Sequence, residues 1–212
     1  MADRFAGLMP SEYDYWRESA EFFGIENAVV APMLGQQRAE RVLDLGCGTG
    51  TWTRKVAEML PRSEVLGIDS SEDMVEYARK VSDSRIRYLV GDCCNLVLPG
   101  RFDLIVCAMS ADYIGFQCLR RTIVSALAKT GNAFWWVLDP TSYEIRHGQR
   151  LKRWVVNGHT VHAAAAVFDP ALVSKEFEEA GLKSKSGWHD VRLSDGKPRR
   201  LIVSALDWNH LK

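Results

Sequence analysis

The sequence contains no long apolar run, no extended basic segment and no internal repeat or low-complexity linker. No stretch of its 212 residues approaches the roughly 18 consecutive apolar residues of a transmembrane helix, so we expect no membrane span. Lysine and arginine together number 27, and aspartate and glutamate also number 27, so the formal net charge is zero. That balance excludes the broadly basic surface on which nonspecific nucleic-acid binding depends, so no nucleic-acid partner is expected.

The five cysteines include no pair with C-x-x-C spacing. They are Cys47, Cys93, Cys94, Cys107 and Cys118. An odd number without that spacing predicts neither a zinc site nor a disulfide framework, and His159 and His162 lack the third ligand that zinc would need. The first ten residues carry charged residues where a secretory signal would have an apolar core. We therefore expect a reduced, metal-free protein of the cytoplasm that is a monomer or a weak homodimer.

A glycine-rich stretch stands between an apolar run and a helical pattern. Residues 42–50 read Val-Leu-Asp-Leu-Gly-Cys-Gly-Thr-Gly, which predicts a buried strand, a sharp turn and a helix from Thr51. A dinucleotide-binding G-x-G-x-x-G motif that starts at Gly46 would need glycine at Thr51, but the third glycine is one residue early, at Gly50. Asp44 would repel a diphosphate and could pair with an ammonium group. An ordinary glycine-rich turn is the alternative.

Two further carboxylates follow the next predicted strands. Asp69 ends the strand Val65–Ile68, nineteen residues after Gly50, at the distance where a doubly wound sheet places an acid that accepts from ribose hydroxyls. Asp92 follows Gly91 at the end of the strand Ile86–Val90 and could accept from an exocyclic amine. Because parallel strand ends share one edge of a sheet, these acids are expected to line one crevice. A helix cap for Asp69 and a turn residue for Asp92 are the alternatives.

The alternation of strands and helices continues to the end of the chain. It predicts a Rossmann-like α/β fold, with a seven-stranded, mostly parallel sheet, helices on both faces and an antiparallel C-terminal hairpin. The remaining elements are predicted at Trp52–Leu60, Phe102–Cys107, Gln117–Ala128 with Gly131 as its stop, Ala133–Leu138, a helix from Asp169-Pro170 to Ala180, and the strands Lys185–Arg192 and Arg200–Leu206.

Two segments lie outside this core pattern of a single domain over residues 1–212. Ser11–Gly35 is predicted to be helical in two pieces that break near Gly24, and residues 1–40 would form a helical cap or lid. Residues 141–167 interrupt the alternation and are too long for a turn, so we expect an insertion on the substrate side.

Four segments together resemble the ligand-edge motifs of class I S-adenosylmethionine-dependent methyltransferases. They are the glycine stretch, Val65-Leu-Gly-Ile-Asp-Ser-Ser, Leu89-Val-Gly-Asp and Phe102-Asp-Leu-Ile-Val-Cys-Ala. The resemblance extends from about Tyr13 to Leu206 and is strongest to the small-molecule, type 11/12-like group. It implies an enzyme that binds S-adenosylmethionine, releases S-adenosylhomocysteine and methylates oxygen or nitrogen of a small molecule. The seven tryptophans favour an aromatic or heteroaromatic acceptor.

The resemblance also implies a set of cofactor-binding positions. They are Tyr15, Trp16, Asp44, Gly46, Cys47, Gly48, Asp69, Ser70, Met74, Gly91, Asp92, Cys93 and Ala108. Asp44 and the glycine backbone would face the methionine part, Asp69 the ribose, and Asp92 with Cys93 the adenine. No metal is required by such chemistry.

Catalytic and acceptor positions are less sharply indicated. Many relatives that act on small molecules have a histidine after the fourth strand, where this chain has Asp112, so Asp112, Tyr113 and His147 are the candidate bases. A helix-capping Asp112 and a solvent-exposed His147 are the alternatives. The candidate acceptor-binding residues are Tyr13, Tyr113, Trp136 and Tyr143. The alternative functions are methylation of a protein or peptide side chain, and noncatalytic binding of the cofactor.

Overall fold

The computed structural model describes residues 9–138, 144–146, 149–156, 159–164, 169–192 and 198–208. The helices are α1 (Pro10–Ser19), α2 (Glu21–Val29), α3 (Ala31–Gly35), α4 (Thr51–Met59), α5 (Glu72–Val81), α6 (Ala111–Ile114), α7 (Phe116–Ala126) and α8 (Pro170–Glu179). The strands are β1 (Arg41–Leu45), β2 (Glu64–Asp69), β3 (Ile86–Val90), β4 (Phe102–Ala108), β5 (Leu127–Leu138), β6 (Glu144–Arg146), β7 (Gln149–Val156), β8 (His159–Ala164), β9 (Leu182–Arg192) and β10 (Pro198–Trp208).

Seven of these strands form one sheet in the order β3-β2-β1-β4-β5-β10-β9. The first five run parallel, β10 pairs antiparallel with β5, and β9 pairs antiparallel with β10 at the edge. The predicted fold class, with its antiparallel C-terminal hairpin, is confirmed. Asp44 of β1 lies opposite Gly67 of β2 and Val106 of β4, so the carboxyl ends of these strands meet at one edge. That edge is where open α/β sheets bind ligands.

Alternate side chains of each central strand enter two separate core layers. Leu43 and Trp135 pack in one layer with Phe177 of α8, together with residues of α7. Val42 and Trp136 pack in the other layer, against α4 and α5. Helices therefore cover both faces of the sheet, and burial of each large apolar side chain contributes roughly 1.5–3 kcal/mol to folding.

The 141–167 segment contributes a second sheet, in the order β6-β7-β8, whose three strands pair antiparallel. Its strand β7 lies next to α1 of the N-terminal cap. Within the described part of the chain, no helix is long and apolar enough to cross a bilayer.

Two predicted helix boundaries were wrong. The first helical segment breaks at Ala20, which adopts an extended conformation, while Gly24 lies inside α2. The position of this break is set by tertiary contacts, because an ion pair between Arg17 and Glu26 holds α1 against α2. Gly131 does not stop α7 and instead lies within β5. A side chain at Gly131 would meet the backbone oxygen of Asp103 at 2.8 Å, so its glycine permits close approach of two strands.

The expectation of no disulfide was also wrong. Cys94 and Cys118 form a disulfide across 24 positions of sequence, with their Cα atoms 5.3 Å apart. Among the described residues, Cys47, Cys93 and Cys107 are free and buried. The pairing depends on how the segment after β3 packs against α7, and cysteine spacing carries no information about that contact.

Candidate active site

A cavity of about 450 Å³ opens at the carboxyl ends of β1 to β4. Its wall is formed by Tyr13, Arg17, Asp44, Gly46, Cys47, Gly48, Thr49, Thr51, Trp52, Ile68, Asp69, Ser70, Ser71, Glu72, Met74, Gly91, Asp92, Cys93, Cys94, Ala108, Met109, Ser110, Tyr113 and Ile114. These residues come from the cap, from the ends of β1, β2 and β4, and from the segments that follow β1 to β4. The volume is within the range typical of small-molecule sites.

The glycine loop closes the cavity at the end of β1. Gly46 and Gly48 have φ angles of 68° and 54°, in the left-handed region that disfavours side chains. A Cβ atom on Gly46 would lie 2.5 Å from Cβ of Ser110, whose hydroxyl donates to the Gly46 carbonyl at 2.7 Å. The loop therefore needs glycine at Gly46 for two independent reasons, its backbone conformation and its close packing.

Asp44 is a buried carboxylate on the cavity wall. It is 1% exposed, and its Oδ2 accepts a hydrogen bond from the Thr53 hydroxyl at 2.6 Å. Its Oδ1 is buried without a hydrogen-bond partner among the described residues. Burial raises the pKa of Asp44 to about 7, opposed by the Thr53 hydrogen bond and reinforced by the charge of Asp69. A buried, under-satisfied acid of this kind is suited to a cationic ligand group.

Asp69 stands at the end of β2 and is held by backbone amides. Its Oδ2 accepts from the Gly48 amide at 2.8 Å, and its Oδ1 accepts from the Ser71 amide at 2.9 Å. These bonds fix the carboxylate and tie the glycine loop to β2. A carboxylate has several lone pairs, so a side chain of this type can accept from two neighbouring ligand hydroxyls.

The segment after β3 forms the opposite wall. Asp92 accepts from the Cys94 amide at 2.9 Å and from the Asn95 side-chain amide at 3.0 Å, so it is a turn residue as well as a wall residue. Cys93 is buried beside it, and burial, followed by the charge of Asp92, raises the pKa of its thiol to about 11. The thiol of Cys93 is therefore neutral near pH 7.

Comparisons with known proteins find methyltransferases. A sequence profile described as "Methyltransferase domain" matches residues 42–131. The malonyl-[acyl-carrier protein] O-methyltransferase of Priestia megaterium is 32% identical over 83 residues, which is 39% of this chain and 30% of that protein. The structure titled "DhpI-SAM-HEP complex" superposes with a TM-score of 0.68 at 17% identity, and covers 92% of this chain and 91% of its own.

Residues 42–131 match a methyltransferase domain, and the chain has the fold of known methyltransferases. An amino pentose methyltransferase from Micromonospora echinaspora, CalS10, has the same fold, with a TM-score of 0.63, 21% identity and coverage of 92% of this chain and 95% of its own. At these identities the structural likeness shows the fold. The chain matches less than a third of the length of the first curated relatives, so their activities are not transferred by the match alone.

The cap of the methyltransferase domain is latched to the glycine loop by Asp14, which the sequence analysis missed. Its carboxylate accepts from the hydroxyls of Thr49 and Thr51 at 2.7 and 2.8 Å. Arg54 of α4 donates to both Asp14 oxygens at 3.0 Å. Asp14 is 7% exposed, so these charge-assisted bonds are largely shielded from solvent. These bonds hold α1 against the glycine loop, so Tyr13 and Arg17 of α1 reach the rim of the cavity.

A second buried network joins the cap to β5. Glu26 of α2, which is 0% exposed, pairs with Arg17 at 2.5 Å and accepts from the indole nitrogen of Trp136 at 2.6 Å. Burial raises the pKa of Glu26, and the nearby charge of Arg17 opposes that shift. The guanidinium of Arg17 also lies over the ring of Phe23, 5.2 Å from its centroid. Arg17 is thereby held rigidly where it reaches the cavity wall.

Most of the predicted cofactor positions lie on this wall. They are Asp44, Gly46, Cys47, Gly48, Asp69, Ser70, Met74, Gly91, Asp92, Cys93 and Ala108, joined by the predicted acceptor residues Tyr13 and Tyr113. Their individual roles remain predictions. Among the residues missed by the sequence analysis, Thr49 and Thr51 flank Gly50 within the glycine motif, whereas Asp14 and Arg17 had no signal beyond their place in an aromatic helix.

Four predicted positions lie away from the wall. Tyr15 is 72% exposed, because the face of α1 that carries Asp14 and Arg17 is the one turned inward. Trp16 packs on Tyr13 with ring centroids 5.7 Å apart. Asp112 is 2% exposed on α6, and the cavity is lined instead by its neighbour Tyr113.

Trp136 is the fourth of these positions. It is fully buried in the core and packs edge-on against Trp52, which does line the cavity. His147 and Tyr143 lie outside the described residues.

Proposed function

We propose that the methyltransferase domain transfers a methyl group from S-adenosylmethionine to an oxygen or nitrogen atom of a small molecule. When bound, this cofactor supplies a methyl group made electrophilic by a positively charged sulfur. The family match, the fold and the composition of the cavity wall all support the proposal. The observation that carries it is Asp44, because a buried carboxylate oxygen without a hydrogen-bond partner among the described residues fits the ammonium group of the cofactor's methionine part.

The other wall residues fit the remaining parts of the cofactor. Asp69, held by two backbone amides, would accept from the ribose hydroxyls. Met74 and Cys93 supply buried apolar surface for the adenine ring. The glycine loop brings backbone atoms against the ligand without side-chain obstruction, for which Gly46 and Gly48 are needed.

The size of the cavity favours a small acceptor. About 450 Å³ must hold the cofactor together with the part of the acceptor that reacts. Tyr13, Trp52 and Tyr113 supply the aromatic surface of the wall, whereas Trp135 and Trp136, which had favoured an aromatic acceptor, belong to the core. Of the three candidate bases, Tyr113 reaches the wall, and its hydroxyl could orient the acceptor's nucleophilic atom. Positioning a nucleophile in line with the methyl group supplies most of such catalysis.

The proposal is tested first by cofactor binding and then by methyl transfer. Calorimetry should show that both S-adenosylmethionine and S-adenosylhomocysteine bind, and that Asp44→Asn weakens both by roughly 10- to 100-fold, because a charged hydrogen bond contributes about 1.5–3 kcal/mol. Asp190→Asn is the matched control, since Asp190 is an exposed residue of the edge strand β9. Unchanged affinity in Asp44→Asn would overturn the assignment of Asp44.

Transfer itself should be followed with a radiolabelled methyl donor and a pool of small alcohols, phenols, carboxylic acids and amines. Label in a small product supports the proposal. Tight cofactor binding without label in any small product would overturn it, and label in added protein would identify the alternative function.

Cofactor affinity is expected to depend on pH through Asp44. The pKa of about 7 in the free protein means that Asp44 is largely protonated below neutrality. Since the ammonium group binds the ionised form, affinity for S-adenosylhomocysteine should fall by up to about tenfold for each pH unit below about 7, and level off above it. Calorimetry between about pH 5 and pH 8 measures this slope. Asp44→Asn should flatten it, and a slope that persists in this variant would assign the titration to another group.

A further inference from the structure

Four potential metal ligands meet at the edge of the cavity. Asp92, Cys93 and Cys94 follow β3, and Cys118 lies on α7. One ligand atom from each residue lies within 4.8 Å of all the others. Sulfur atoms around a tetrahedral zinc ion at about 2.3 Å from the metal are about 3.8 Å apart. Ligand atoms that are up to 4.8 Å apart would therefore have to approach each other by roughly 1 Å or less to surround an ion. The two sulfurs of the disulfide would instead have to move apart.

The backbone around the cluster is held independently of the disulfide. Two residues on the same face of α7 as Cys118 also form hydrogen bonds with the segment after β3. Arg121 donates to the Cys94 carbonyl at 3.1 Å, and Thr122 donates to the Cys93 carbonyl at 3.1 Å. Neither hydrogen bond involves a cysteine sulfur, so reduction of the disulfide breaks neither of them directly. The sulfurs of Cys94 and Cys118 would then remain near each other as thiols.

Asp92 is already oriented towards this cluster. Its two oxygens accept from the Cys94 amide at 2.9 Å and the Asn95 side chain at 3.0 Å. Outer hydrogen bonds of this type orient carboxylate ligands in metal sites and leave lone pairs for the metal. Cys93 is buried and Asp92 and Cys94 are partly buried, so a bound ion would be shielded from bulk water.

We propose that this cluster, in its dithiol form, is a binding site for a thiophilic divalent cation such as Zn²⁺. The ligands are the sulfurs of Cys93, Cys94 and Cys118 and one carboxylate oxygen of Asp92, which are thiolate and carboxylate ligands of the types that Zn²⁺ accepts. The disulfide form does not bind the cation, because two of the three sulfurs are then bonded to each other. Binding is therefore controlled by the redox state of Cys94 and Cys118.

An added phosphine can reduce the disulfide between Cys94 and Cys118. Breaking the sulfur–sulfur bond takes two electrons from phosphorus and two protons, and yields two thiols, while the phosphine becomes a phosphine oxide with oxygen from water. Cation binding then displaces the thiol protons to solvent, since thiolates are the ligands. Because the experiment measures cation binding, its outcome does not depend on whether the protein transfers a methyl group.

Titration with Co²⁺, a spectroscopic probe for zinc sites, tests the proposal on the full chain. Phosphine-reduced protein should bind one equivalent with thiolate-to-cobalt charge-transfer absorption, and Zn²⁺ should displace the cobalt. Oxidised protein, with the Cys94–Cys118 bond verified by mass spectrometry, should show no such absorption. Absence of the absorption in reduced protein, or equal absorption in oxidised protein, would overturn the proposal.

Variants separate a built site from adventitious thiol binding. Cys118→Ser and Asp92→Asn should each weaken Co²⁺ binding by at least about tenfold, and circular dichroism should confirm that both are folded. Cys47→Ser is the matched control, because Cys47 packs in the core layer on the opposite face of the sheet. Loss of binding in Cys47→Ser equal to that in Cys118→Ser would count against a four-residue site.

Discussion

Replacing Glu26 with alanine is expected to lower the free energy of unfolding by about 3–5 kcal/mol. Glu26 is fully buried, and its removal leaves the guanidinium of Arg17 and the indole N–H of Trp136 without their acceptor. Removing one partner of a buried ion pair has this cost because the charge of the other partner stays in a poorly solvated environment. Chemical denaturation, read by circular dichroism and tryptophan fluorescence, measures the change.

Two matched variants show whether charge or burial causes the loss. Glu26→Gln keeps an acceptor for Trp136 but removes the charge that pairs with Arg17, so an intermediate loss is expected. Glu18→Ala removes a carboxylate that also pairs with an arginine, Arg54, but whose side chain is 53% exposed, and it should cost less than about 1 kcal/mol. A loss in Glu26→Ala no larger than in Glu18→Ala would contradict the importance of this network.

Replacing Gly46 with alanine is expected to lower the free energy of unfolding by about 2–5 kcal/mol. About 1–2 kcal/mol comes from an L-residue in the left-handed region, at φ 68°. A further 1–3 kcal/mol, roughly, comes from the new Cβ atom, which would lie 2.5 Å from Cβ of Ser110. Binding of S-adenosylhomocysteine should weaken as well, because the loop must shift away from Ser110.

Other glycines of the chain separate these two contributions. Gly48→Ala carries the backbone strain alone, since no described atom outside the adjoining residues lies within 4 Å of the added Cβ, and about 1–2 kcal/mol is expected. Gly187→Ala in β9 carries neither penalty and should change stability by less than about 0.5 kcal/mol. Equal effects for Gly46→Ala and Gly48→Ala would show that the contact with Ser110 relaxes at no cost.

The sheet and its ligand edge were predictable because their signals are local. An apolar run such as Val42 to Leu45 specifies a buried strand, and the glycines that follow allow the turn. Asp69 and Asp92 could be assigned to the same edge because parallel strands with right-handed connections leave few other arrangements. Helix ends were less predictable, because the conformations of Ala20 and Gly131 depend on contacts between different helices and strands, which a local pattern does not show.

The cap could not be built from the sequence. Asp14 lies 35 positions from Thr49, and Glu26 lies 110 positions from Trp136, yet each pair forms a hydrogen bond. Neither pair has a spacing that a periodic pattern would reveal. Of the aromatic residues of α1, Tyr13 lines the cavity and Tyr15 is exposed, whereas Asp14 binds the glycine loop and Arg17 lines the cavity.

The sequence by itself determined the strand-loop-helix unit at residues 42–51, the order of the core elements and the acids at the strand ends, because backbone preferences and hydrophobic period act over a few residues. Only the tertiary structure decided which face of α1 closes the cavity, that Tyr113 and not Asp112 lines it, and that Cys94 meets Cys118. Those outcomes depend on side chains from distant segments competing for the same buried space.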